Sequence, residues 1–154
     1  MTLKTSMLAQ LKTCHRENAW YVATLNAIDE LTEEQAMWKP QEADYSICEL
    51  TNHIIYYSDR YLKRFKGTED DEIHKDNTFK GSEGMSWYDT VERLTVITSE
   101  WVKVVGEADE QKLFDWAVDI AHLTTHTAYH TGQMVVLRKW QHAWHDKNGV
   151  KYNP

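Results

Sequence analysis

Three histidines of the chain, His122, His126 and His130, form an H-x-x-x-H-x-x-x-H series. In a helix advancing about 100° per residue, positions four apart are offset by only about 40° and stack one turn above the other. His126 and His130 therefore have the spacing to hold one metal ion between two imidazoles. His130 falls within the apolar stripe Trp116, Ile120, Leu123, Thr127, Met134 and Leu137, whereas His122 is rotated about 80° from it, toward the flank, and reads as an exposed helix residue. Two imidazoles do not complete a catalytic site, which takes three protein ligands and keeps one position open. The third must come from another helix, and His53, at the edge of a stripe beside Leu50 and Tyr57, is the best placed. An H-x-x-x-H pair also arises by chance in a chain with eight His, so spacing alone leaves open the alternative that these histidines only pack in a core.

The remaining reactive residues point nowhere in particular. His142 and His145 close a helix end, where positive charge suits the dipole. His74 lies in an acidic stretch and His15 beside a helix stripe, with no role read for either. Cys14 reads as core and Cys48 lies off its stripe; they form no CxxC pair, and the expectation is reduced thiols. Thr127 follows His126, so the general base of an H-E-x-x-H protease is absent. Asp119-x-x-His122 is the nearest approach to the paired Glu-x-x-His motifs of di-iron bundles, and it is single. No glycine-rich phosphate loop or G-x-S-x-G elbow occurs.

Four amphipathic segments must position the histidines. Met7, Leu11, Cys14, Tyr21, Leu25 and Ile28 repeat at spacings near three and four, with Asn18 as a polar interruption, and predict a first helix over about 3–30. Thr32 with Gln35 signals a short capped element at 32–37, followed by Pro40. Ser46 with Glu49 opens a second helix over about 46–66, carrying Ile47, Leu50, Ile54, Tyr57, Tyr61 and Phe65 and stopped by Gly67. Residues 67–85 are acidic, hold three glycines and lack a helical period, which predicts a long solvated connection. Ser86 with Asp89 starts a third helix that carries Trp87, Val91, Leu94, Thr98, Trp101 and Val105 and ends at Gly106. After a short helical piece at 108–113, the histidine helix is expected over about 116–144, with Trp144 on its stripe. Trp20, Trp38 and Trp140 have no assigned place. The economical answer is an all-α fold, one four-helix-bundle domain over 1–154 with a long connection between helices 2 and 3.

Composition narrows the function classes. Of 154 residues, 24 are acidic and 17 basic, giving a net charge of −7, much of it collected at 69–76. Gripping nucleic-acid backbones relies on clustered Lys and Arg, so no such role is expected. Six Gly and two Pro against 42% hydrophobic residues exclude collagenous and linker-dominated chains. No run approaches the roughly 20 apolar residues of a membrane span, and the N-terminus lacks a signal-peptide core. The expectation is a cytoplasmic protein without a membrane partner.

The segments Tyr45-Ser46-Ile47-Cys48-Glu49-Leu50-Thr51-Asn52-His53 and His126-Thr127-Ala128-Tyr129-His130-Thr131-Gly132-Gln133, with the tail Leu137-Arg138-Lys139-Trp140-Gln141, resemble the DinB-like (DinB/YfiT-like) metalloenzyme family over nearly the whole chain. Thr131 stands where many members carry Arg. The resemblance implies a four-helix bundle, commonly a homodimer, that binds a divalent metal ion (nickel, zinc or iron) through His53, His126 and His130. It also implies chemistry of the thiol S-transferase or hydrolase kind on a small-molecule substrate, with a low-molecular-weight thiol as one partner. Three neutral imidazoles leave a divalent ion its full charge and an open position, enough to bring the pKa of bound water to about 7 or to activate a thiolate. Glu49, Asp119, Tyr129 and Gln133 are candidates for supporting the ligands through hydrogen bonds. A non-catalytic module, its metal stapling two helices through a closed coordination sphere, is the alternative.

Overall fold

A computed structural model of the chain describes residues 1–68 and 77–151. The described residues are all-helical: α1 (Leu3–His15), α2 (Thr24–Ala27), α3 (Glu33–Met37), α4 (Ile47–Lys66), α5 (Trp87–Glu107), α6 (Glu110–Asp115), α7 (Ala117–Trp140) and a 3₁₀ turn at Asp146–Asn148. Four starts obey the capping-box rule, in which side chains and backbone N–H groups of the first turn satisfy one another: Thr2 with Thr5, Thr32 with Gln35, Ser46 with Glu49 and Ser86 with Asp89. Asp109 caps α6 through Lys112 N–H.

The first helix is shorter than its periodicity predicts. It ends at His15, because Asn18 competes for the backbone: its Oδ1 accepts from Ala23 N–H, and its Nδ2 donates to the carbonyls of Asn148 and Gly149. Thr24 Oγ1 donates to the Cys14 carbonyl across the break. Leu25 and Ile28 still pack on the core, now from α2 and the turn after it.

Helix ends follow the chemistry of left-handed positions. α4 stops where Gly67 adopts φ 72°, its N–H and that of Thr68 donating back to Arg64 and Lys63. The same double bond closes α7 at Trp140, with His142 at φ 58° in the position usually held by glycine. The expected run to 144 overshoots for that reason, and Trp144 is a half-buried residue beyond the helix rather than part of its stripe. Gly106 does not stop α5, which continues to Glu107 and ends as the chain extends at Ala108.

α4 packs against α5 and α7, and α1 packs against the same two helices from the other side. Trp87, Leu94, Trp101 and Val105 of α5 are buried with Ile47, Leu50, Ile54 and Phe65 of α4 in one core. Both buried indoles are satisfied, Trp87 Nε1 by the Leu31 carbonyl and Trp101 Nε1 by that of Ser58. α4 and α7 run antiparallel: His53 meets His126 and His130, and further along α4 Phe65 meets Trp116 at 5.2 Å. The connection expected at 67–85 includes 69–76, with His74 and much of the acidic charge, which lies outside the described residues. Its described end, 77–85, returns to α4 beside His53. No helix among the described residues is long and apolar enough to cross a membrane.

Candidate metal centre

Ser46 and Glu49 start α4 so that His53 lies on the face turned to α7, and unbroken helix through 126–130 stacks His126 and His130 opposite it. The ligand atoms of His53, His126 and His130 all lie within 4.8 Å of one another. His126 Nε2 is 3.0 Å from His53 Nε2 and 3.1 Å from His130 Nε2. Two nitrogens bound to one ion at about 2.05 Å in tetrahedral geometry stand about 3.3 Å apart, so the cluster is near ligating size.

The outer nitrogens reveal why these rings face inward. His130 Nδ1 lies 2.6 Å from Gln133 Oε1, an acceptor, so Nδ1 carries the proton and Nε2 of the neutral ring is a lone pair. His53 Nδ1 lies 2.6 Å from Thr78 Oγ1. His126 Nε2 faces both other Nε2 atoms, and its single site can hold one proton at most, enough for one contact and not for both. A cation at the centre resolves the conflict, so the donor set fits a metal ion. Burial, reinforced by His130 and His126, holds the His53 imidazole down to about 4; burial and then His130 lower His126. Both shifts favour the neutral rings that a metal requires.

Aromatic packing fixes the rings. Phe79 stacks on His53 at 4.0 Å and Tyr45 stacks on Phe79 at 3.7 Å. Tyr57 sets its edge against His53 and His126 at 5.0 and 5.4 Å. His53 and His130 are 9% and 8% exposed, and His126 is half-buried. A cleft of about 360 Å³, lined by His53, Tyr57, Tyr61, Asp119, Leu123 and His126 together with His122, opens on the cluster from the α4–α7 groove.

Of the supporting residues expected from sequence, Gln133 alone hydrogen-bonds a cluster histidine. Tyr129 touches the His130 ring at 5.1 Å, Glu49 caps α4 and pairs with Lys39, and Asp119 stands in the cleft wall. His122 is exposed and outside the cluster. Cys48, though off the stripe, is buried like Cys14, and both thiols are free. Thr131 turns away into the interior and bonds Thr24 Oγ1 at 2.8 Å. Thr78 and Phe79 escape a reading based on helical period, because they belong to the connection; an aromatic residue in so polar a stretch was the available signal.

The three-histidine cluster is compatible with metal binding, and His53, His126 and His130 lie within the segments that resemble the family. No curated protein and no solved structure matches the chain. The family model of the DinB superfamily matches residues 17–145, and the chain belongs to that superfamily.

Proposed function

We propose that the chain is a single four-helix-bundle domain in which His53, His126 and His130 hold one divalent ion, nickel, zinc or iron, and that it is an enzyme of the thiol S-transferase or hydrolase kind. The observation that carries this reading is the convergence of three Nε2 atoms at 3.0 and 3.1 Å, with the Nδ1 atoms of His53 and His130 engaged by Thr78 and Gln133. A bound ion supplies Lewis acidity toward a thiol or water. Among the described residues the cluster contains three potential ligands and no fourth, and a cleft reaches it. That favours turnover over a closed structural staple.

The chain's own groups divide the work. His53, His126 and His130 present lone pairs; Thr78 and Gln133 hold two of the ring orientations; Phe79 and Tyr57 shield the imidazoles from water. In S-transfer the thiol proton passes to solvent, sulfur bonds the electrophilic carbon, and the leaving group departs with its electron pair. The test is to incubate metal-loaded protein with bacillithiol and a model electrophile. Conjugate formation above the rate of an H126A control supports transfer, and equal rates refute it.

A homodimer belongs to the same proposal. Tyr129, Val136 and Trp140 place exposed apolar surface along α7, the kind of patch that marks association. Sedimentation of the wild type as a dimer and of V136E as a monomer is the expected result; a wild-type monomer contradicts it.

A further inference from the structure

The α4–α7 cleft has two chemically different ends. At the inner end stand His53 and His126; outward come Tyr57, Leu123 and Tyr61, with Asp119 and His122 on the α7 side. The antiparallel run sets the order, Tyr57 lying against His126 and Phe65 against Trp116 beyond the outer end. Asp119 precedes His126 by seven residues, about 10 Å of helix rise. Its carboxylate, half-buried in the first turn of α7, makes no ion pair or side-chain hydrogen bond among the described residues. Near the outer end, Arg64 lies over Tyr61 at 5.3 Å, and Lys112 lies over Phe65 at 4.4 Å. His122 is exposed.

We infer that Asp119 is a specificity-determining residue, and that the cleft selects an elongated ligand bearing a soft anionic donor for the histidine end and a cationic nitrogen about 10 Å away for the Asp119 carboxylate. The inference rests on the metal reading above and adds to it the class of substrate. Between the ends, Tyr57, Tyr61 and Leu123 suit an aliphatic or flat spacer, and their rings also favour a cation passing over them. A half-buried carboxylate without an internal partner gains more from a charge-assisted hydrogen bond than a fully solvated one does. An anionic tail would meet repulsion at the same place.

The test uses the full chain loaded with Co²⁺ at pH 8 and calorimetric titration with four probes: 6-aminohexanethiol, 6-mercaptohexanoate, 2-aminoethanethiol and mercaptoacetate. The six-carbon amine should bind about three- to tenfold more tightly than the six-carbon acid, while the two-carbon pair, too short to reach Asp119, should differ less. In D119N, with cobalt absorption and melting temperature matching the wild type, the six-carbon preference should vanish. Equal affinities of the long probes in wild type, or an undiminished preference in D119N, overturn the inference and leave the metal site standing. Absence of cobalt absorption in wild type overturns both.

Discussion

His130 Nδ1 donates to Gln133 Oε1 one helical turn away at 2.6 Å, and this contact decides which nitrogen of His130 faces His126 and His53. Thr78 serves His53 at the same distance from a different element. Ring orientation is thus set once within α7 and once by the connection that returns to α4.

Removing either support should loosen the ion without unfolding the chain. T78V and Q133A are each expected to weaken divalent-metal affinity by roughly 10- to 100-fold, with the melting temperature of metal-free protein nearly unchanged. Competition against a chromogenic chelator measures this. Wild-type affinity in both variants would show that packing by Phe79 and Tyr57 alone orients the rings.

Arg138 is 1% exposed and makes no ion pair among the described residues. Its Nε donates to the Ala143 carbonyl at 2.7 Å and its Nη1 to that of Ala27 at 2.9 Å, tying the end of α7 to the end of α2. R138M leaves both carbonyls unpaired and should cost roughly 2–4 kcal/mol in urea unfolding. A loss below about 0.5 kcal/mol would place it with ordinary surface substitutions and contradict the clasp.

His15 is 3% exposed and its Nδ1 has no hydrogen-bond partner. Burial, with a smaller contribution from Arg16, brings its pKa from 6.5 down to about 4. The unfolded chain therefore takes up this proton first as pH falls, so the stability linked to His15 is complete above pH 6.5 and lost progressively toward pH 4. The contribution is roughly 3 kcal/mol when fully titrated. Metal-free H15L should lose less stability than wild type across this window. Parallel stability profiles would mean that His15 titrates alike in both states.

Burial pushes the Cys14 thiol up to about 12, against a smaller opposing effect of Thr127, and burial raises Cys48 as well. Neither thiol is therefore a ready nucleophile at neutral pH. Ellman's reagent at pH 8 should label neither in the native chain and both in denaturant. Fast native labelling would contradict the buried placement.

The starts of α3, α4 and α5 were legible in sequence because each is a local contract between a hydroxyl and a residue three positions later; Ser46 with Glu49 is an example. Breaks and ends were harder. Asn18 ends the first helix through partners at Asn148 and Gly149, at the far end of the chain, and His142 takes a left-handed position without being glycine. The pairing of His126 and His130 follows from helix geometry. Bringing His53 to them depends on how α4 packs; its place at the stripe edge beside Leu50 and Tyr57 made it the best candidate, and the family motif pointed to the same residue. Thr78 was invisible for a related reason: its role depends on where the connection folds back.

Metal binding by the three histidines is measured by titrating metal-stripped protein with Co²⁺ and following visible absorption, in wild type and in H53A, H126A and H130A. One equivalent per chain should saturate the wild-type signal, and each alanine variant should lose it while remaining folded. No wild-type signal, or a signal that survives loss of His126, whose Nε2 faces both other rings, would contradict the account.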